Sequence, residues 1–599
     1  MNKYAERIER LRSMMRSRGW DAVVITGSDP HSSEYPAQRW KQVEWLTGFT
    51  GEAGDVVVTA DHAGLWTDTR YFIQAVKQLD GSGAVLHKTR VPEQVLIPEW
   101  LASQGEELTV AVDSLCQSVD SVRSLEKAAR CNVVGVPDLL SPLWEDRPSV
   151  PSSPVMTLGE DLVGESRESK LDALRRFLLR QGCDGILLSS LDEIAWLLNV
   201  RGSDIEYNPL VMSYLLVTME SAFWYVLKDN APDDETADSI YEVEADDVRV
   251  LPYDDITTAL ALPDDFGVEK LFLDPSTLNY HLYSVLLASV SAPEICQGPS
   301  PVPLRKAVKN EREIEGMREA HLEDGLAMEK FLWWLETSVS SGARITEADA
   351  ARYLGKLRSD IPGYRGDSFE TISAYGEGAA LPHYVTPRHD APVLKPYGLY
   401  LVDSGGQYLF GTTDITRTVP LGPCSELERE DYTLVLKGHI GLARAIFPEG
   451  TAGCQIDALA RDPLWKAYRN FGHGTGHGVG FYLCVHEGPQ DVRQNFNSQP
   501  LLPGMILSDE PGLYREGMHG VRHENLVLVV PDGESEFGRW LRFETLTLCH
   551  FDTSAIIPSL LSKEETSWLN DYNEQVYRIL SPRLPSEVAS WLREKTRAI

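Results

Sequence analysis

The chain has few cysteines for its length and none in the spacing that metal-binding or redox motifs use. Eight cysteines are spread over 599 residues, and no two of them form a C-x-x-C pair. Such a sparse pattern does not build a disulfide framework, so we expect free thiols in a reducing compartment and predict a cytoplasmic protein. Residues 1–18 are charged and helical in pattern rather than basic and then apolar, so we expect no signal peptide.

Long apolar runs and an excess of positive charge are also missing. No uninterrupted apolar stretch reaches the roughly 18 residues that a membrane-spanning helix needs. Lysine and arginine number 56 against 89 aspartates and glutamates, which gives a net charge of −33. This charge repels nucleic acid and anionic membranes, so we predict neither as a partner. It does not indicate a cationic substrate, because an acidic surface also serves solubility.

The first two thirds of the chain contain an internal repeat. Residues 10–26 and 173–189 are related by an offset of 163 residues. Both combine an amphipathic helical pattern, a glycine at its end and an apolar strand pattern. Two such copies predict two related α/β domains rather than a solenoid, which needs three or more short repeats.

Breaker-rich stretches and one long helical pattern set the predicted domain boundaries. Residues 140–166 and 293–304 are rich in proline and lack clear periodicity. Residues 309–336 carry apolar side chains at helical spacing after Asn310, a candidate N-cap. We therefore predict an α/β (α+β) chain of three domains: 1–150, 151–302 and 303–599.

Two aspartates lie in strand-like segments on either side of a glycine-containing turn. LYLVD ends at Asp403, TDITRTV contains Asp414, and GG and FG pairs stand between them. Folding this predicted hairpin brings the two carboxylates onto neighbouring strands. Buried aspartates that face each other repel, and a cation or a shared proton relieves the repulsion. The alternative for each aspartate is an ordinary surface or edge position.

GHGTGHGVG, residues 472–480, has the glycine content of a phosphate-binding loop without its pattern. It contains neither G-x-G-x-x-G nor G-x-x-x-x-G-K-[ST]. The glycines instead let the backbone pack closely while His473 and His477 project into a cavity, and His486 follows nearby. A single histidine is more often a satisfied core residue, but three in so short a span beside carboxylates favour a catalytic site.

Two glutamates complete the candidate site. Glu510 and Glu524 each fall within a strand-like stretch, GMILSDEPGLY and GVRHENLVLVV. A surface salt bridge is the ordinary alternative for either glutamate alone. No run of lysine or arginine lies nearby to balance four buried carboxylates, which are costly without positive charge. Together with His477 the carboxylates predict two divalent metal ions, and hence a metal-dependent hydrolase. Oxygen-rich ligation suits Mn²⁺, with Co²⁺ or Zn²⁺ as alternatives, and disfavours copper.

Four segments of the chain resemble a known family. DSGGQYLFGTTDITRT, GHGTGHGVGFYLCVHEGP, SDEPGLY and GVRHEN look like the metallopeptidases of the pita-bread fold. Nearly the whole chain resembles the three-domain Xaa-Pro aminopeptidases (aminopeptidase P) of this group, family M24B. The resemblance implies two creatinase-like N-terminal α/β domains, then a pita-bread catalytic domain with a C-terminal helical extension. It also implies release of the N-terminal residue from peptides with proline at the second position, with manganese as the metal.

The resemblance assigns roles to individual residues. The implied metal ligands are Asp403, Asp414, His477, Glu510 and Glu524. The implied catalytic residues are His383, His473, His486, Glu510 and Arg522. The implied substrate contacts are Phe369, His383, His473, His486 and Tyr514. In this mechanism two ions share a hydroxide that attacks the peptide carbonyl. Glu510 takes the hydroxide proton toward the prolyl nitrogen, and His383 and His486 stabilise the oxyanion.

The sequence departs from the family pattern at one position and leaves two alternatives open. His523 stands where an aliphatic residue is common, either to modify metal affinity or merely to pack. One alternative function is a prolidase-type Xaa-Pro dipeptidase of the same fold, which the long duplicated front half disfavours. The other is a non-catalytic pita-bread binding module, which predicts lost ligands. We also expect a homodimer, in which residues 29–40 approach an active site.

Overall fold

The computed structural model describes residues 2–227, 234–262 and 267–599. Its contacts divide the chain into two compact units. Unit 1 comprises Met1–Glu160 and Glu165–Val302, and unit 2 comprises Asp161–Gly164 and Pro303–Ile599. Among the described residues, no helix combines the length and the apolar character that crossing a membrane requires.

Two six-stranded sheets of the same topology form the centre of unit 1. The strands up to residue 297 are β1 (Ala22–Ile25), β2 (Asp55–Thr59), β3 (Ala63–Thr67), β4 (Val85–Lys88), β5 (Thr109–Asp113), β6 (Asn132–Val136), β7 (Met156–Thr157), β8 (Gly185–Leu188), β9 (Val200–Arg201), β10 (Ser213–Thr218), β11 (Ala222–Val226), β12 (Val248–Pro252), β13 (Lys270–Leu273) and β14 (Glu294–Gln297). The strand orders are β4-β3-β2-β1-β5-β6 and β12-β11-β10-β8-β13-β14. Along each of these orders the first pairing is parallel, the next two are antiparallel and the last two are parallel.

The internal repeat corresponds to the helix that precedes each central strand. The helices up to residue 307 are α1 (Lys3–Arg18), α2 (Gln42–Thr47), α3 (Phe72–Gln78), α4 (Ile97–Gln104), α5 (Val119–Ala129), α6 (Glu160–Val163), α7 (Arg167–Gln181), α8 (Leu191–Leu198), α9 (Asp234–Ala245), α10 (Asp255–Ala261), α11 (Tyr280–Ala288) and α12 (Val302–Ala307). α1 ends at Gly19 and α7 at Gly182, with left-handed φ angles of 69° and 67° that favour glycine. The predicted helix–glycine–strand unit is therefore present twice.

Unit 2 contains a six-stranded sheet, two three-stranded sheets and a two-stranded ribbon. The strands are β15 (Tyr364–Asp367), β16 (Ile372–Tyr375), β17 (Leu399–Ser404), β18 (Gly406–Tyr408), β19 (Gly411–Thr412), β20 (Ile415–Pro420), β21 (Ile446–Pro448), β22 (Gly476–Gly478), β23 (Glu487–Val492), β24 (Ile506–Asp509), β25 (Gly512–Arg515), β26 (His519–Arg522), β27 (Asn525–Ser535) and β28 (Gly538–Thr545). The sheets are ordered β21-β28-β27-β24-β22-β23, β16-β17-β20, β15-β18-β19 and β25-β26.

Unit 2 also contains helices, several of which begin with a capping box. They are α13 (Glu311–Ser340), α14 (Glu347–Ser359), α15 (Glu426–Ala443), α16 (Asp457–Lys466), α17 (Lys563–Leu580) and α18 (Ser586–Lys595). Asn310 caps α13 and exchanges hydrogen bonds with Glu313, as the predicted N-cap requires. Met317 and Phe331 are buried on the predicted apolar face of this helix. The long helix after residue 309 is thus confirmed.

The aspartate hairpin forms, although its two strands are not joined by a simple turn. β17 and β20 pair antiparallel with Asp403 opposite Thr416, and Asp414 immediately precedes β20. The connecting residues form β18 and β19, which pair with each other in another sheet.

The placement of both glutamates inside strands was wrong. Glu510 follows the end of β24, and Glu524 lies in the break between β26 and β27. The break has a physical reason, because the Glu524 N–H donates to the Thr416 carbonyl on β20 at 3.1 Å instead of continuing a ladder with β25. This bond ties the glutamate to the strand that follows Asp414.

Candidate metal centre

Ligand-type side chains from three parts of unit 2 converge. One donor atom each from Asp414, His477 and Glu524 lies within 4.8 Å of the other two. His477 Nε2 is 3.5 Å from Asp414 Oδ2 and 3.5 Å from Glu510 Oε1. The segments that carry these four residues therefore meet at one place. They lie just before β20, within β22, just after β24 and between β26 and β27.

The tautomer of His477 is set by its own backbone. Its Nδ1 lies 2.9 Å from the Gly478 carbonyl, which can only accept, so Nδ1 carries the proton. Nε2 therefore faces two carboxylates, an arrangement that suits a cation bound between the nitrogen and the carboxylate oxygens.

Asp403 has one arginine as its counter-ion. Its Oδ2 accepts from Arg522 Nη2 at 2.5 Å, so a single arginine rather than a run of basic residues faces the carboxylates. Its other oxygen, Oδ1, is buried and has no hydrogen-bond partner among the described residues. One arginine for four carboxylates leaves most of the negative charge unbalanced.

Burial and mutual repulsion raise the proton affinity of the carboxylates. Burial, reinforced by Asp414, Asp403 and Glu510, raises the pKa of Glu524 well above its ordinary value. Burial raises the pKa of Glu510 to about 6. Burial also raises the pKa of Asp403, although the Arg522 guanidinium opposes that shift.

These observations fit a divalent cation site. The orphaned Asp403 oxygen, the His477 lone pair and the convergent donor atoms supply an oxygen-dominated set with one imidazole. Such a set suits Mn²⁺ and related divalent ions. The structure brings the five predicted ligands into one electrostatically coupled cluster, while the role of each residue stays a prediction.

A directed hydrogen-bond chain leads away from Asp403. Arg522 Nη1 donates to Tyr514 Oη at 2.6 Å, and His473 Nε2 lies 2.8 Å from the same hydroxyl. His473 Nδ1 faces the Gly474 carbonyl at 2.7 Å and so carries the ring proton. The Tyr514 hydroxyl therefore donates to His473 Nε2, which orders the chain Arg522, Tyr514, His473.

His486 lies against His477, the predicted ligand histidine, and the residue that follows it is held by buried ion pairs. The rings of His486 and His477 are 4.3 Å apart at 79°. The next residue, Glu487, accepts from the buried ammonium groups of Lys306 at 2.6 Å and Lys309 at 2.5 Å. This buried triad anchors the start of β23, and with it the backbone of His486.

His383 and Phe369 are half-buried in loops next to the site elements. His383 follows the 3-10 helix Gly376–Ala380, whose Ala379 carbonyl would lie 1.7 Å from any Cβ added at Gly520 on β26. Phe369 follows Ser368, which donates to the Thr413 carbonyl beside Asp414 at 2.8 Å. The substrate contacts of both side chains stay predictions.

His523 packs in the core and does not face the ligands. Its ring meets Tyr432 edge-on at 4.5 Å and Phe551 at 5.6 Å. Within the described part of the chain neither ring nitrogen has a hydrogen-bond partner, and burial lowers its pKa well below the ordinary value. Of the two alternatives for this residue, the packing one agrees with the structure.

Sequence reasoning missed Thr416, which holds two site residues together. Its hydroxyl donates to Glu524 Oε2 at 2.7 Å and accepts from Arg522 Nε at 3.2 Å. The sequence signal for Thr416 was its position two residues after Asp414 on the predicted hairpin. In the structure this position lies opposite Asp403. Sequence reasoning also missed Ser508, whose hydroxyl accepts from the His477 N–H at 3.0 Å.

A second group of ligand-type side chains in unit 2 has a different character. Glu329, Cys549 and His550 are close enough to hold an ion. The Glu329 carboxylate, however, already accepts from the backbone N–H of His550 at 2.9 Å. The ring Nδ1 of His550 lies 2.8 Å from Glu329 Oε2. We interpret this group as a satisfied structural pair.

Family models match four consecutive parts of the chain. Two Creatinase/Prolidase N-terminal domain models match residues 7–143 and 146–313, and the models of metallopeptidase family M24 and of the C-terminal region of peptidase M24 match 315–531 and 539–599. The chain is 37% identical to aminopeptidase P1 of Arabidopsis thaliana, over 99% of each chain. It therefore belongs to metallopeptidase family M24, which confirms the predicted resemblance and fold class.

Solved structures differ in how much of this chain they match. An X-prolyl aminopeptidase from Caenorhabditis elegans, described as a cytosolic enzyme with a di-nuclear active site, is 35% identical over the whole of both chains with a TM-score of 0.94. An Xaa-Pro dipeptidase from Bacillus anthracis is 25% identical, with a TM-score of 0.51, and covers 64% of this chain and 99% of its own. The similarity to the aminopeptidase thus extends over the whole chain.

Proposed function

We propose that this protein is a metal-dependent Xaa-Pro aminopeptidase, which releases the N-terminal residue from peptides with proline at the second position. The observation that carries the proposal is the cluster around Asp414, His477 and Glu524, in a chain that matches aminopeptidase P relatives from end to end. All five predicted ligands are present, which disfavours a non-catalytic binding module. The dipeptidase alternative leaves more than a third of the chain without a counterpart.

Two divalent ions are the cofactors in this proposal, and Mn²⁺ is the proposed identity. Asp403, Asp414, His477, Glu510 and Glu524 would hold them. When bound, the ions lower the pKa of water toward neutrality and polarise the peptide carbonyl. The oxygen-rich ligand set supports manganese over softer metals.

Proton transfer falls to Glu510. Its carboxylate is half-buried, with Oε1 3.5 Å from His477 Nε2, and a carboxylate at such a position can serve as a general acid–base group. We assign to it the uptake of the nucleophile's proton and its delivery to the prolyl nitrogen that leaves. His486, held by the Glu487–lysine triad, and His383 are the proposed donors to the oxyanion, a contact worth about 3–4 kcal/mol in other enzymes.

The chain Arg522, Tyr514, His473 is the proposed positioning device. Arg522 holds Asp403 and Tyr514 in fixed orientations, so a single side chain couples the ligand cluster to the substrate side. Phe369, His473 and Tyr514 are the proposed contacts of the substrate, with Phe369 and Tyr514 beside its proline.

The domain limits 1–150, 151–302 and 303–599, with the last domain catalytic, belong to the same proposal.

A homodimer and a cytoplasmic location complete the proposal. α16 exposes Leu459 and Trp465, and Tyr468 just beyond its end is fully exposed. Exposed large apolar side chains close in sequence support association. Sedimentation velocity of the wild-type chain and of Tyr468→Glu tests the dimer, and a wild-type monomer at micromolar concentration would contradict it.

A peptide panel tests the activity. After chelation and return of Mn²⁺, we expect Arg-Pro-Pro to lose its first residue, while the same tripeptide with alanine at the second position is cleaved at least about 100-fold more slowly. Preferential cleavage of a bare Xaa-Pro dipeptide would favour the dipeptidase. No bound metal together with no hydrolysis of any peptide would favour the binding module. Glu524→Gln serves as the inactive control.

A further inference from the structure

Two histidines face each other at the edge of the first sheet of unit 1. His87 lies on the edge strand β4, and His62 lies in the turn between β2 and β3. Their Nε2 atoms are 3.1 Å apart, and the ring planes make an angle of 77°. Both side chains are half-buried, so solvent reaches them.

Aromatic packing holds the two imidazoles in this arrangement. The His87 ring stacks on Trp66 of β3 at 3.8 Å and 6°, and the His62 ring lies 4.7 Å from the Trp100 ring. Trp66 is itself fixed, because its Nε1 donates to the Val95 carbonyl at 2.9 Å. The rings are therefore pre-oriented before any ligand arrives.

The backbone beside the pair leaves room only for glycine. A Cβ at Gly64 would lie 2.8 Å from His62 Nε2 and 2.7 Å from His87 Cδ2. Gly64 has no left-handed φ, so close approach of the two rings is what excludes a side chain there. The strand thus accommodates the facing imidazoles at a position where other residues would separate them.

The two nitrogens share a hydrogen bond in the metal-free protein, and their separation also matches two ligands of one metal ion that replaces the shared proton. Two metal–nitrogen bonds of about 2.0–2.1 Å, at tetrahedral to octahedral angles, place the nitrogens about 2.9–3.4 Å apart. A neutral imidazole is the form that binds metals. Of the charged neighbours, Asp61 favours a cation beside His62 and Arg12 opposes it.

We propose that His62 and His87 bind one borderline divalent ion, Zn²⁺, Ni²⁺ or Cu²⁺, through their Nε2 atoms, with water completing the coordination. Imidazole ligands prefer these ions, whereas the carboxylate cluster of unit 2 suits Mn²⁺. The bound ion ties the edge strand β4 to the β2–β3 turn, which secures a strand that has only one neighbour in the sheet. This inference does not depend on the proposed aminopeptidase activity.

Zinc titration of the manganese-loaded full chain tests the proposal. We expect wild-type protein to bind one Zn²⁺ per chain more than His62→Gln/His87→Gln, with a micromolar Kd, while manganese content is measured in parallel. The double variant corrects for any zinc that replaces manganese in unit 2. His281→Gln, in the same unit, is the matched control and should bind as wild type. Equal zinc binding by the wild-type chain and the double variant would overturn the proposal.

Two further measurements keep the test decisive if the double variant folds poorly. His62→Gln alone alters a half-buried turn residue and should weaken zinc binding at least 10-fold. Hydrogen exchange of Val85–Lys88 should slow on addition of Zn²⁺ in wild type but not in this single variant. Copper bound by wild type should show the hyperfine splitting of two equatorial nitrogens. Unchanged exchange, or a copper spectrum without nitrogen coupling, would contradict the proposal.

Discussion

Buried carboxylates in unit 2 are of two kinds, and the difference identifies the functional ones. Asp324 accepts from Arg358 Nε at 2.7 Å and Nη2 at 3.1 Å, and from the Tyr408 hydroxyl at 2.6 Å. Glu487 has two lysines to itself. In the metal centre, by contrast, four carboxylates share one arginine, Arg522. Asp324 and Glu487 are thus each matched by neighbouring cationic side chains, whereas the carboxylates of the cluster are not.

The contrast has an energetic meaning. A buried ion pair of side chains is complete in the folded protein, so removing one partner leaves a charge that nothing balances. The carboxylate cluster is incomplete without external cations, so removing one carboxylate relieves repulsion as well as losing a ligand. The same kind of substitution should therefore have opposite effects on metal-free stability in the two regions.

The largest effect is expected at Glu524, which is 1% exposed. Glu524→Gln should lower kcat/KM at least about 1,000-fold and reduce the metal content, because a ligand carboxylate is lost. In metal-free protein at pH 8 the same change should leave the free energy of unfolding unchanged or raise it. Activity, metal analysis and denaturant unfolding with and without Mn²⁺ measure these outcomes.

Glu534→Gln is the matched control, because Glu534 lies on the exposed end of β27. It should change none of the three measurements. A metal-free Glu524→Gln protein much less stable than metal-free wild type would contradict the comparison, since it would show that Glu524 is satisfied without a cation.

The second prediction breaks a completed pair. Arg358→Met removes the fully buried partner of Asp324 and should cost about 3–5 kcal/mol of unfolding free energy. Metal content per folded chain should be unchanged. Replacing both residues, as Asp324→Leu/Arg358→Met, should recover much of the loss. Arg352→Met is the control on the same helix, because its pair with Asp349 is exposed and worth less than about 1 kcal/mol.

The third prediction concerns Glu347, a buried carboxylate without a cationic partner. It accepts from the Tyr375 N–H at 2.7 Å and the Tyr384 hydroxyl at 2.8 Å, beside His383. Burial raises its pKa from 4.5 to about 7. The folded state therefore holds a proton that the unfolded state releases, so this contribution to stability is present below pH 4.5 and is lost as pH rises to 7.

We expect Glu347→Gln to remove this loss. Between pH 5 and pH 8 the unfolding free energy of the wild type should fall by on the order of 2 kcal/mol more than that of the variant. Urea unfolding at four pH values measures the difference. Glu377→Gln, in the neighbouring 3-10 helix, is the control. Parallel pH profiles for wild type and Glu347→Gln would show that the carboxylate is ionised without penalty.

The elements of the centre that rest on local pattern could be predicted from sequence. The apolar runs that end at Asp403 and follow Asp414 indicate β17 and β20, because alternation and turn glycines are local signals. The long helix after Asn310 is predicted by local signals too, because its cap and its apolar spacing both depend on residues close in sequence.

The features that depend on contacts distant in sequence could not be predicted. The strand break at Glu524 arises because its N–H pairs with Thr416, more than one hundred residues away. Arg522 pairs with Asp403 across a similar separation, so the sequence indicated the arginine through the family resemblance but not its partner. The Lys306–Glu487–Lys309 triad likewise depends on tertiary packing that no local spacing reveals.

The smallest predicted effect tests whether His523 belongs to the centre or to the core. Both ring nitrogens are buried without a hydrogen-bond partner among the described residues, while the ring packs on Tyr432 and Phe551. An unsatisfied buried polar group costs about 1–3 kcal/mol, so His523→Leu should raise the free energy of unfolding by about 1 kcal/mol after some loss of aromatic packing. Metal content and kcat should stay within about twofold of wild type, because the ring does not face the ligands. Denaturant unfolding and metal analysis measure both, and a variant that loses metal while gaining stability would place His523 functionally with its neighbour Glu524 rather than with the core.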